Sequence, residues 1–445
     1  MKLFFVSLGC DKNLVDSEFM LGMLQENETK IGIEITDDET TADIIIVNTC
    51  CFIQDAKEES INTILQMAEY KKSGKCKALI VTGCLAQRYQ KEIRKEIPQV
   101  DAVLGTNAYD QILPAIQETL NGNYYENFPS LKGLPALTGK RSVSTGGHYA
   151  YLKIAEGCNK HCTYCIIPYV RGGYRSIPME NLLIQAKTLA ESGVKELILV
   201  AQETTTYGID LYGKKTLPRL LDELNRIDGL KWIRILYCYP EEIDQEFIDA
   251  VKRNDKVCHY IDMPIQHASD EVLRRMGRHT NKQELKQIIG KLRMEIPDIC
   301  LRTTVICGFP GETKNDHEEL MEFINEMEFD RLGAFTYSCE EGTPAAEFPD
   351  QVDEETKLLW QEEVMELEQE IIFDLTETMK GKEIRAFVEG KLPDENVYVA
   401  RSYRDAPDID GYVFITSETE LITGDFVKVR VTGAVDYDLV AEQIS

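Results

Sequence analysis

Cys158-Asn159-Lys160-His161-Cys162-Thr163-Tyr164-Cys165 gathers three thiols on one short segment, directly after the apolar run 151–155. Three thiolates this close together suit three corners of a cuboidal 4Fe-4S cluster and leave the fourth iron without a protein ligand, open to chemistry. A structural zinc ion is the competing reading. Tetrahedral zinc wants a fourth ligand, though, and the sequence offers no second Cys or His pair nearby, while His161 adjoins Cys162 and would bind only with strain. Around this segment, candidate strands at 151–155, 196–201, 232–237, 260–265, 302–307 and 332–337 are each followed by an amphipathic stretch. Six βα units predict a partial barrel, short of the eight that close one.

Upstream, apolar runs at 3–7, 43–47, 78–82 and 102–104 alternate with helix-like stretches at 15–25, 56–71 and 86–95, which predicts an open, mostly parallel α/β sheet. Residues 129–147, rich in Gly, Pro, Ser and Thr, read as a linker. Downstream, a charged helix over 353–378 leads into five short β-rich pieces within 382–445, the pattern of a small OB-like barrel. The expected division is therefore 1–128, a linker at 129–147, a barrel over 148–377 and a β module over 378–445.

At 445 residues the chain is too long for one ordinary core. Asp and Glu outnumber Lys and Arg by 76 to 49, a formal charge of -27, so binding a polyanion by counterion release is disfavoured and a basic partner is favoured. The first residues are apolar for about one strand's length, too short for a signal-peptide core. No run approaches the roughly 20 apolar residues of a membrane helix. The expected location is the cytoplasm, where thiols stay reduced, so the 13 cysteines read as metal ligands or core residues.

Cys10, Cys50 and Cys84 each follow an apolar run, and residues just beyond the carboxyl ends of neighbouring parallel strands converge on one crevice. Gly9 and Gly83 would let the backbone approach a bulky group. Spacing alone leaves a second cluster site and scattered core cysteines both open. Cys76, Cys238, Cys258, Cys300, Cys307 and Cys339 read as small buried hydrophobes, and the acidic run 362–370 reads as a solvated helix face.

The CxxxCxxC after the first barrel strand resembles the radical S-adenosylmethionine superfamily. The resemblance implies that Cys158, Cys162 and Cys165 are catalytic cluster ligands and that the open iron binds S-adenosylmethionine, whose one-electron cleavage yields a 5'-deoxyadenosyl radical. Candidate cofactor contacts are Tyr164, Gln202, Glu203 and Gly308, in segments that equally read as turns closing βα units. Ser7-Leu8-Gly9-Cys10-Asp11-Lys12-Asn13-Leu14-Val15-Asp16-Ser17-Glu18, Asn48-Thr49-Cys50 and Thr82-Gly83-Cys84-Leu85 resemble the methylthiotransferase N-terminal domain. The C-terminal module is similar to a TRAM domain. The resemblance thus spans essentially the whole chain, and implies a second 4Fe-4S cluster on Cys10, Cys50 and Cys84 that carries the sulfur to be transferred. Cys51 departs from the family's small residue and competes with Cys50, which is favoured.

Asp262-Met263-Pro264-Ile265-Gln266-His267-Ala268-Ser269, Thr336-Tyr337-Ser338-Cys339-Glu340-Glu341-Gly342-Thr343-Pro344-Ala345 and Arg401-Ser402-Tyr403-Arg404-Asp405-Ala406-Pro407-Asp408-Ile409-Asp410-Gly411 resemble the protein-modifying, RimO-type branch. That branch implies an aspartate of ribosomal protein uS12 as substrate, attacked at its β-carbon, with a low-potential electron donor such as flavodoxin or ferredoxin. Residues 379–445 hold 8 Lys and Arg against 13 Asp and Glu, whereas an RNA-binding module is expected to be basic, so transfer RNA is the less favoured substrate. Asp405, Asp408 and Asp410 are expected to face the basic ribosomal protein. A non-catalytic iron-sulfur scaffold or an RNA-binding module is the rival from another class.

Overall fold

The structure is a computed structural model that describes residues 1–27, 32–135, 140–146, 148–393 and 395–444; within the expected linker, 136–139 and 147 lie outside the described residues, as do 394 and 445 of the expected β module. The first unit is a six-stranded, all-parallel sheet of β1 (Lys2–Ser7), β2 (Glu34–Ile35), β3 (Ile44–Thr49), β4 (Ala78–Gly83), β5 (Ala102–Leu104) and β6 (Tyr125–Asn127), in the order β2-β1-β3-β4-β5-β6. β3 and β4 are buried along their whole length, as central parallel strands covered by helices on both faces must be. The sequence reading missed β2 and β6. Both are edge strands of two or three residues with too little apolar content to register. Helix α1 (Asp11–Glu26) follows β1, and α2 (Gln54–Ser73) follows β3.

In the second unit, β7 (Tyr149–Lys153), β10 (Glu196–Val200), β11 (Trp232–Ile235), β12 (Val257–Asp262), β13 (Cys300–Cys307) and β14 (Arg331–Thr336) pair in parallel in the order β14-β13-β12-β11-β10-β7. A short pair, β8 (Ala155–Glu156) with β9 (Arg175–Ser176), flanks the cysteine loop. Alternate residues divide by face: Leu197 and Leu199 pack into the helix-covered core, whereas Ile198 and Val200 point inward, in one apolar cluster with α1. The third unit is a closed five-stranded barrel of β15 (Glu383–Lys391), β16 (Val397–Ser402), β17 (Val413–Thr416), β18 (Phe426–Val435) and β19 (Asp438–Gln443). Among the described residues no helix is long and apolar enough to cross a membrane.

Contacts at both edges hold the first unit across the open side of the second. At the β7 edge, Lys153 pairs with Asp16 of α1, and Glu18, wholly buried, accepts from Arg141 Nε (2.6 Å) and from the amide (2.7 Å) and hydroxyl (2.8 Å) of Ser144 in the linker. Beyond the β14 edge, the Glu340 carboxylate sits between Arg88 (2.6 Å) and Lys57 (3.0 Å), and the Tyr89 hydroxyl donates to Glu341.

The third unit caps the opposite end of the partial barrel, at the strand starts. There Glu196 bridges Arg234 (2.8 Å) and Arg401 (2.7 Å), with all three side chains wholly buried. Asp405 is buried against Arg331 (2.6 Å), and Asp410 accepts from the Tyr260 hydroxyl (2.7 Å) 3.3 Å from Arg302. This corrects the expectation that these acids face a partner. Of the three, only Asp408 is exposed, because the barrel interior presents arginines that a buried carboxylate must neutralise. The acidic run 362–370 is likewise not wholly solvated, since Glu368 is buried.

Candidate functional site

The sheet register assembles the first cysteine trio. Ser7 pairs with Asn48 and Asn48 with Thr82, so three adjacent strands end level, and Cys10, Cys50 and Cys84 follow within two or three residues. Gly9 (φ +86) is required here: a Cβ at that position would lie 2.6 Å from Cys50 Cβ and 2.8 Å from its sulfur. Gly83 (φ +96) is required for the same reason, against Asn48 and the Thr49 backbone. Burial, then the neighbouring thiols of Cys10 and Cys84, push the Cys50 thiol up to about 12. Cys51 is also fully buried, packed into the apolar layer with Val47 and Leu79 next to Arg88. Gly9 therefore meets Cys50, and Cys51 faces the core.

The second trio lies on the loop after β8. The Cys158 amide donates to Gly172 O (3.2 Å), the Thr163 amide to Met276 O (2.9 Å) and the Ala345 amide to Thr163 O (2.9 Å), which fixes the loop on both sides. His161 is exposed, with φ +52. Burial pushes the Cys158 thiol up to about 11 and Cys165 higher still. The Tyr239 hydroxyl and Cys162 sulfur are 3.3 Å apart. The Tyr164 ring packs edge-on to Phe309, centroids 6.4 Å apart.

All 13 cysteines are free thiols. Among the described residues no three His, Cys, Asp or Glu side chains converge tightly enough for a single ion. A cuboidal cluster asks for a wider spread, because its cysteines bind three different irons. The donor sets of both trios are all sulfur, which fits such a group, and at the first the missing Cβ of Gly9 lets Cys50 come in close.

Polar atoms beside the second trio fit a polar cofactor. Glu203 is buried; its Oε1 accepts from the Thr205 amide (2.8 Å), while its Oε2 accepts no hydrogen bond and lies 3.9 Å from Lys160 Nζ. Burial pushes its carboxyl up to about 7, against the Thr205 hydroxyl, which lowers it. Gln202 Oε1, both Glu241 oxygens and Arg278 Nε and Nη1 are also buried without hydrogen bonds. A buried polar atom left unmatched is costly, and a bound ligand is one remedy. Gly308 has a packing role. The space of its missing Cβ is taken by Lys357, whose Cγ would stand 2.2 Å away, so Gly308 seats the helix Glu354–Glu377. Cys339 is exposed rather than buried, on the loop whose Glu340 and Glu341 meet the first unit.

The sequence reading missed the charged network between the trios. Arg171 Nε donates to Cys84 Sγ (3.3 Å), Nη1 to Asp16 (2.7 Å) and Nη2 to Asn13 Oδ1 (3.0 Å); Lys153 pairs with both Asp16 and Glu156. The available signal was a single arginine following the apolar segment 166–170, and a single lysine inside an apolar strand. Tyr239, Glu241 and Arg278 were missed too.

Comparison with known proteins bears on this arrangement. Three family models match: Uncharacterized protein family UPF0004 over 2–105, the Radical SAM superfamily over 152–324 and the TRAM domain over 381–444. A protein of Lachnoclostridium phytofermentans is 60% identical over 440 residues, covering 99% of both chains, and one of Acetivibrio thermocellus is 49% identical over 451, covering 100% of this chain and 98% of the relative. A third, from Clostridioides difficile, is 48% identical over 448 residues, covering 99% and 98%. Each is named ribosomal protein uS12 methylthiotransferase RimO. Among solved structures, the radical S-adenosylmethionine methyltransferase TsrM of Kitasatospora setae, with cobalamin and a 4Fe-4S cluster bound, aligns with TM-score 0.55 at 13% identity over 77% of this chain and 76% of its own, a likeness of fold. On end-to-end identity with these relatives, the chain belongs to the RimO family of ribosomal protein uS12 methylthiotransferases.

Proposed function

We propose that the protein attaches a methylthio group to the β-carbon of an aspartate in ribosomal protein uS12, with Cys158, Cys162 and Cys165 holding one cluster and Cys10, Cys50 and Cys84 the other. It is a radical S-adenosylmethionine transferase whose cofactors are S-adenosylmethionine and two 4Fe-4S clusters. The observation that carries the reading is Arg171: the segment leaving Cys165 reaches Cys84 of the other trio, so two units address one place.

When bound, the cofactors supply one-electron chemistry able to take hydrogen from an unactivated carbon, and sulfur for the new bond. The protein's part is positional. Three cysteines at each site would leave one iron of each cluster free of protein. Gln202 Oε1 and Glu203 Oε2 offer acceptors to the amino group of S-adenosylmethionine, and the Arg278 guanidinium offers donors to its carboxylate. The Tyr164 ring, braced by Phe309, walls the site.

The electron donor is of the low-potential flavodoxin or ferredoxin class, and the location is the cytoplasm. The test offers reduced, reconstituted enzyme both purified uS12 and transfer RNA, followed by mass spectrometry. A methylthio adduct on a uS12 aspartate is expected. An adduct on transfer RNA with none on the protein overturns the substrate.

A further inference from the structure

We propose that Arg171, supplied by the barrel, is a positioning residue that raises the reduction potential of the cluster on Cys10, Cys50 and Cys84. The inference rests on the reading of those cysteines as cluster ligands. Among the described residues, Arg171 is the one side chain that donates a hydrogen bond to a sulfur of this trio. The residue is 2% exposed, so its charge acts with little screening.

Reduction by one electron adds one negative charge to a cluster. A cation and an N–H group aimed at a ligand sulfur stabilise that extra charge more than they stabilise the oxidised form, and the potential rises. The arginine turns Nε to the Cys84 sulfur and its terminal nitrogens to Asp16 and Asn13, so the guanidinium lies between the sulfur and the carboxylate. Lys153 and Arg171 together balance Asp16 and Glu156, which explains how a cation can be kept buried there. At the barrel trio the side-chain hydrogen-bond partner of a sulfur is the neutral Tyr239 hydroxyl at Cys162, and the side-chain cations of Arg278 and Lys160 act on those thiols through space without a hydrogen bond to sulfur.

The charge balance also designs the test. Arg171→Gln alone leaves the two carboxylates facing one lysine, whereas Arg171→Gln with Asp16→Asn removes one charge of each sign and keeps the network neutral. Both are made in the full-length chain with Cys158, Cys162 and Cys165 changed to Ala, which isolates one cluster of about four irons. The readout is the midpoint of a dithionite titration followed by electron paramagnetic resonance. The expected order is parent highest, double variant lower, single variant lowest. At a fixed potential the reduced fraction should fall by about tenfold in the double variant, about 59 mV for a one-electron couple. Arg171→Lys, which keeps the charge and loses the fork, should fall in between.

An unmoved midpoint in the double variant overturns the proposal. Should neither Gln variant bind iron, Arg171→Lys decides, and an unmoved midpoint there overturns it equally. A parent that binds no iron defeats the reading of the cysteines instead, and the inference with it.

Discussion

Glu368 carries a carboxyl into the junction of the barrel and the C-terminal module, where burial pushes it up to about 8; Arg331 and the Leu332 amide lower it too little to compensate, and Asp330 raises it further. Tyr437 of the module feels the same charge. The unfolded chain gives up this proton near 4.5 and the folded chain near 8, so the folded state binds more protons between those values and stability falls as pH rises through that window. Glu368→Gln is therefore expected to raise the thermal midpoint more at pH 8 than at pH 5. Parallel midpoint curves for variant and parent would remove the argument. Gly9 supplies a second test at this scale. In Gly9→Ala the methyl group meets Cys50, so reconstituted protein should lose about half its eight or so irons while still cleaving S-adenosylmethionine. Iron content equal to the parent would sink it. Gly9 was legible as a glycine beside a cysteine at a strand end, whereas Glu368 was not: it sits in an acidic run, and whether one of several glutamates turns inward depends on Arg331 in another element.

Strand interiors were legible because apolar runs record burial directly, which is why β3, β4, β10 and β11 were placed to within two residues. The segment 401–411 was not. Its acids were expected to meet a basic partner outside, and the structure gives two of them basic partners inside, Arg331 for Asp405 and Arg302 for Asp410. Composition reports charge without its direction. Asp405→Ala should destabilise the protein by about 3–5 kcal/mol, the cost of leaving one member of a buried ion pair alone, whereas Asp408→Ala at the exposed position should cost only about 1 kcal/mol, from placing Ala at φ +66 and losing the hydrogen bond from Tyr149. Denaturant unfolding of the two variants checks this, and equal effects would contradict the assignment of the segment as a plug for the barrel end.

The first unit spans the open side of the partial barrel, held by α1 at one edge and by Glu340 beyond the other. Glu340→Ala leaves Arg88 and Lys57 without their shared carboxylate, so the two cysteine rims should separate while each unit keeps its own core. Cleavage of S-adenosylmethionine should continue and transfer of the methylthio group should drop by an order of magnitude or more, because one substrate must then serve two sites out of register. Equal loss of both activities would point to unfolding instead. The three units were legible as compositional zones; their contacts were not, since they join residues far apart in the chain, 74 positions for Arg331 with Asp405 and 252 for Arg88 with Glu340. Those contacts also set an order of events during synthesis. Asp16 and Glu18 leave the ribosome early, but the cations they need, Arg141, Lys153 and Arg171, emerge more than a hundred residues later, several seconds or more at ordinary elongation rates. Until then the nascent first unit carries acids with no basic partner at the positions it must bury. A chain halted at residue 128 is expected to stay protease-sensitive at neutral pH, and one extended past residue 171 to become resistant: the first unit to be made is the one that must wait.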